Sequence, residues 1–260
     1  MAGDICRDLA VIPLDELAPN TTGGLMLLQV ILASLTMATG TGPMDAALEA
    51  TEAPETLRAA FTVELRSQSA RHVYSFDPRE PRNMRWQLVS REGQDEELDA
   101  VAANWASEAA PDGRLFPDDL RACLGQTVQV NTDGHAWRVG FRHHPNFNDN
   151  EFDRWAAERL QANALLDPVG ERFLRIDYTL PKAVNGPSGG KLTKYNQTYI
   201  LRTEPRWGFS YVSGFAIDLE ARVAFKRITR SYQADVTNVQ FFFASPEAEQ
   251  LYLATTSTGL

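Results

Sequence analysis

The chain has 260 residues, 43% of them hydrophobic and 23% charged, enough apolar material to bury a core without disulfide or metal staples. A formal net charge of −9 excludes the basic footprint that nucleic acid requires and electrostatic docking on anionic lipid. The two cysteines, Cys6 and Cys123, form no C-x-x-C pair, so their spacing gives no zinc or redox motif.

Met1–Asn20 is acidic, with Arg7 as its one basic residue. Leu25–Ala38 (LMLLQVILASLTMA) is an apolar run, shorter than the ~20 residues of a spanning helix. It fits the h-region of a secretory signal, and Ala38 and Gly40 form a small-x-small pattern before Thr41. The expected positive n-region is missing, and initiation at Met26 would not supply one. A weak membrane anchor and a buried helix are the competing readings. The expectation is a signal-bearing segment over residues 1–42 and one domain over 43–260, periplasmic or secreted, with a cytoplasmic protein as the alternative.

Pro43–Ala60 is rich in Ala, Leu and Glu and reads as mostly helical, with Pro54 as a break. Phe61–Arg66, His72–Phe76 and Met84–Val89 read as strands. Leu98, Val101, Ala102 and Trp105 fall at helical spacing within Glu92–Ala110. Pro117–Leu124 reads as a short helix. Gln126–Val130 and His135–Phe141 flank Asp133-Gly134, a hairpin signal. Glu151–Leu166 reads as a second amphipathic helix, ended by Pro168 and Gly170. Phe173–Leu180 and Leu192–Thr203 alternate as strands on either side of a loop rich in Gly and Pro. Three strands follow, Phe209–Ile217, Arg222–Tyr232 and Val236–Phe243, with alternation that puts Phe209, Tyr211, Phe215 and Ile217 on one face. A short helix over Pro246–Tyr252 ends the pattern.

Chemical motifs are sparse. His135, His143 and His144 are the metal candidates, but their spacing is not that of a helical ligand pair, and no metal is expected. There is no G-x-S-x-G elbow, and Ser188-Gly189-Gly190-Lys191 lacks P-loop spacing. No cofactor is expected. What remains is aromatic: Trp86, Trp137, Phe209, Tyr211, Phe215, Phe225 and Phe241 all lie on the expected strands. A sheet with so many large side chains on one face either packs them into a core or leaves an apolar pocket between sheet and helices.

Four segments, Leu57–Leu65 with the helix before it, Arg79–Val89, Val128–Val139 and Phe215–Phe243, resemble the LolA-like family of periplasmic lipoprotein carriers. Arg79–Val89 (REPRNMRWQLV) resembles its Pro…Arg-Trp strand. Val128–Val139 (VQVNTDGHAWRV) is similar to its Asp-Gly hairpin, and Phe215–Phe243 to its C-terminal meander. The helix followed by Leu57–Leu65 (LRAAFTVEL) is similar to the family's N-terminal helix and first strand. The order of the segments is the family's. Ser90–Gly125 and Asn146–Leu166 stand as insertions, and no lipobox is present. The resemblance implies an α+β fold, a curled, mostly antiparallel open barrel with helices on its concave face. It implies a cavity for acyl chains and transient contact with membrane proteins. Arg85 would be its cavity arginine, hydrogen-bonding a helix backbone to hold a lid shut; the alternative is that Arg85 points to solvent.

The leading expectation is therefore non-catalytic binding or carriage of a lipid-like ligand or lipoprotein acyl chain, lined by Arg85, Trp86, Trp137, Phe209, Tyr211, Phe215, Phe225 and Phe241. The alternatives are a hydrolase or isomerase using His135 or His143 as acid–base, and an interaction protein whose sheet is filled.

Overall fold

The computed structural model describes residues 42–107, 115–117, 120, 124–133, 136–143, 151–186, 189–223 and 226–257. Expectations for the apolar run at 25–38, both cysteines, most of the helix at 117–124, His135, His144 and Phe225 lie outside them, as does the side chain of His143.

Among the described residues eleven strands form one sheet, in the order β3-β2-β1-β11-β10-β9-β7-β6-β5-β4, with the short β8 paired to β9. The strands are β1 (Leu57–Arg66), β2 (Arg71–Phe76), β3 (Trp86–Glu92), β4 (Leu124–Asp133), β5 (Ala136–His143), β6 (Gln161–Asp167), β7 (Arg172–Thr179), β8 (Val184–Asn185), β9 (Lys191–Thr203), β10 (Ser210–Val223) and β11 (Lys226–Phe243). Every described pairing is antiparallel. With its helices the chain is α+β: α1 (Pro43–Glu49), α2 (Glu96–Ser107), α3 (Glu151–Ala157) and α4 (Pro246–Ser257).

The strands follow from period-two patterning. In β1, Leu57, Ala59, Phe61, Val63 and Leu65 are all buried. The same face continues across the sheet through Leu65, Ala234, Phe215, Tyr199, Ile176, Ala164 and Val139, which are register partners in turn. One polar ladder sits within it. Tyr195 Oη donates to Gln197 Oε1 at 2.5 Å, and Gln197 Nε2 donates to Tyr199 Oη at 2.6 Å. Because Gln197 is 2% exposed, its amide has to be satisfied by protein.

The helix starts have local causes. Pro43 stands in the first turn of α1, where its missing N–H costs nothing. Asp95 Oδ1 accepts from Glu97 N at 2.9 Å and caps α2. Leu98, Val101, Ala102 and Trp105 of α2 are buried, as their spacing predicts. Trp105 lies 5.8 Å from Trp86 between ring centroids, and Trp86 lies 4.9 Å from Phe76. On its other side α2 meets charge: Glu97 is 3.8 Å from Arg230 of β11, and Asp99 is 3.5 Å from His72 of β2.

Several expectations need correction. The stretch 43–60 is helical only to Glu49, and β1 already begins at Leu57. Gln161–Asp167 is strand β6 rather than the end of a helix. Its Ala and Leu residues favour helix, but Ala162, Ala164 and Leu166 alternate inward against β5 and β7, and sheet pairing outweighs propensity. On β7 Phe173 is buried and Leu174 is 41% exposed. The three C-terminal strands are two long ones, β10 and β11, with β11 continuous through Tyr232–Val236.

Candidate functional site

β10 and β11 pair only from Gly214↔Asp235 onward to Val223↔Lys226. Before that point they diverge. Ser210–Val212 stay with β9, while Val236–Phe243 follow β1. Two bulges make the fork. On β10 the register slips between Val212 and Gly214, leaving Ser213 as the extra residue. On β11 Asn238 and Val239 stand opposite the single residue Phe61, because Ala60 pairs Gln240 and Thr62 pairs Thr237. Asn238 has φ 53°, the left-handed region that asparagine tolerates better than most residues.

The mouth of the fork is partly filled. Ser210 N–H donates to Ala50 O at 2.6 Å, and Val212 N–H donates to Leu115 O at 2.9 Å. Leu57, Phe116, Phe209 and Phe243 form a second buried cluster there, separate from the main core. Tyr252 of α4 stacks 5.6 Å from Phe209 and 5.4 Å from Phe243. Burial, then the negative charges of Glu204 and Glu49, push the Tyr252 phenol up from its ordinary value.

The β9–β10 connection forms one wall. Glu204 is 3% exposed. Its carboxylate accepts the backbone N–H of Arg206 at 2.8 Å and that of Trp207. Glu204 N–H donates to Phe209 O at 2.7 Å, and Gly208 N–H donates to Glu204 O at 3.0 Å. Gly208 has φ 82°, a conformation that favours glycine in so tight a turn. Arg206 lies over the Trp207 ring at 4.5 Å and pairs with Glu249 of α4.

Between that wall and the β11 bulge lies a cavity of about 470 Å³, lined by Arg202, Trp207, Tyr211, Val236, Val239 and Phe241 among others. Tyr211 and Phe241 lie 5.1 Å apart between ring centroids. A second hollow, about 450 Å³, sits over Thr198, Ala216 and Gln233 and is mostly polar in its side chains.

The residues singled out from the sequence separate. Tyr211 and Phe241 line the fork. Phe209 packs in the second cluster. Phe215 belongs to the main core, 5.1 Å from Tyr199 and 5.8 Å from Tyr232. Trp86 and Trp137 are half-buried against that core. The β10 bulge separates Tyr211 from Phe215: Tyr211 pairs with exposed Arg202, whereas Phe215 pairs with buried Tyr199. They do not share the single face that plain alternation predicts. Arg85 Nε donates to the Glu80 carbonyl at 3.2 Å, which is in a loop and not a helix backbone. Phe225 lies outside the described residues.

The sequence reading missed Arg202, Glu204, Trp207 and Asn238. Glu204-Pro205-Arg206-Trp207-Gly208 carries a turn signal in its Pro and Gly, but nothing local marks the divergence of β10 and β11. Among the described residues no group of His, Cys, Asp and Glu is arranged to hold a metal ion, and no described helix is long and apolar enough to cross a membrane. Comparison with protein families, with curated proteins and with solved structures finds no match to this chain.

Proposed function

We propose that the chain is a non-catalytic binding protein for a lipid-like amphiphile, and that the ligand lies in the fork between β10 and β11. The observation that carries this reading is the cavity of about 470 Å³ whose walls include Trp207, Tyr211, Val236, Val239 and Phe241. Its size falls in the range of ~300–1,000 Å³ usual for small-molecule sites, and its lining is close to evenly mixed, with six apolar or aromatic residues beside Arg202, Glu204, Arg206, Thr237 and Asn238, as an amphiphile with one polar end requires. Each methylene buried there would contribute ~0.8 kcal/mol. The LolA-like resemblance supports the same ligand class, with α1 and α2 as cover for a concave sheet face and Arg85 bracing the loop before β3. Carriage in an exported compartment, with transient docking on membrane proteins, rests on that resemblance and on the apolar run at 25–38.

Filling the cavity tests the site. Val239→Trp puts an indole into it, and Thr237→Trp does so from an exposed position with less risk to folding. Native mass spectrometry and titration with decanoic acid are the readouts. The expected result is a co-purified or added amphiphile on the wild type and at least a tenfold weaker complex in both variants. Unchanged affinity in two folded variants, or no amphiphile on the wild type, would count against the reading.

A further inference from the structure

We infer that the occupant of the fork carries an anionic end, a carboxylate or phosphate, seated on Arg202. This rests on the fork being the ligand site and adds the chemistry of its polar end. Three charged side chains line the cavity, and two are engaged. Glu204 is buried, with its carboxylate turned to the Arg206 and Trp207 amides. Arg206 is paired with Glu249 and stacked on Trp207. Arg202 also lines the cavity and is exposed, and among the described residues it has neither an ion pair nor a side-chain hydrogen bond. The uncommitted charge is cationic, a planar fork of N–H donors matched to two oxygens of one acid group.

Its position fits the aromatic wall. Arg202 and Tyr211 are register partners on β9 and β10, so their side chains stand side by side on one face. Tyr211 in turn contacts Phe241 at 5.1 Å. An acid group on Arg202 therefore leaves its alkyl chain running over Tyr211 toward Phe241 and Val239. The other polar lining groups, Thr237 and Asn238, are neutral and do not oppose an anion. The molecule as a whole is acidic, with net charge −9, so long-range attraction does not supply this preference and the local contact has to.

Isothermal titration of the full chain with decanoic acid, decyl phosphate, decanol and decylamine, each below its micelle concentration, tests the assignment. The wild type should bind decanoic acid or decyl phosphate at least tenfold more tightly than decanol, and the stronger of the two identifies the acid group. Arg202→Gln, an exposed change, should bring that ligand to the decanol level, while Arg202→Lys should retain part of the preference. An acid bound no better than decanol, a preference that survives Arg202→Gln, or tightest binding by decylamine would overturn the anionic assignment and leave the fork standing as an amphiphile site. No binding by any of the four would overturn both.

Discussion

Glu204 is the bracket of the candidate site, and its removal gives the sharpest stability test. The residue is 3% exposed, and its carboxylate accepts the Arg206 and Trp207 amide N–H groups. Hydrogen bonds to a charged group contribute ~1.5–3 kcal/mol each. Glu204→Ala removes two, but it also relieves the cost of keeping a carboxylate out of water. The net expectation is a loss of about 2–3 kcal/mol. Glu204→Gln keeps one acceptor and turns an NH₂ toward the other amide, so about 1–2 kcal/mol is expected. Urea unfolding at neutral pH reads both values. The Tyr252 phenol, raised by burial first and by Glu204 next, should titrate closer to its ordinary range in Glu204→Gln. If Glu204→Ala lies within about 0.5 kcal/mol of wild type, the usual scatter of neutral surface changes, the turn is held by its two backbone bonds alone and the reasoning fails.

Two further outcomes follow from other parts of the sheet. Burial, followed by the charge of Arg91, holds the His72 imidazole below its ordinary value of 6.5. The unfolded chain therefore takes up this proton first, so the contribution of neutral His72 is present above the ordinary value and declines as pH falls through it toward the folded value. Wild type should lose stability relative to His72→Leu between about pH 8 and 5, and parallel urea midpoints for the two across that range would refute this. Gly93 has φ 76°, and a Cβ there would lie 2.3 Å from the Ser69 carbonyl oxygen. Gly93→Ala should cost about 1–3 kcal/mol and lower the melting temperature by ~2–4 °C for each kcal/mol; an unchanged melting curve would contradict it.

Most strands were readable because one face is buried and the other wet. β2, β5, β7 and β9 are bounded by residues close to those the alternation marks, and α2 carries the buried residues its spacing predicts. β6 was hidden because Ala and Leu suit a helix as well as a half-buried strand, and only its neighbours β5 and β7 decide between them. The site was legible in composition but not in arrangement. Tyr211 and Phe241 were recognisable as large apolar strand residues. Their meeting depends on an extra residue in each of β10 and β11, and a bulge shifts every later side chain to the other face without a signature of its own in either strand. Arg202 had no signal at all: an exposed arginine on a strand is ordinary until its cross-strand partner is known.

The pairing of β1 with β11 bears on how the chain is made. Leu57 pairs with Phe243, and Arg66 reaches Asp235 across a separation of 169 residues. During vectorial synthesis at ~5–20 residues per second, β1 has to wait roughly 10–30 s for its partner to emerge. Throughout that interval the β1–β2–β3 hairpins present an open strand edge, a template for the wrong neighbour. The latest of the described strands to leave the ribosome, β11, is thus the one that joins β1 to β10, and the fork beside it comes into being only at that moment.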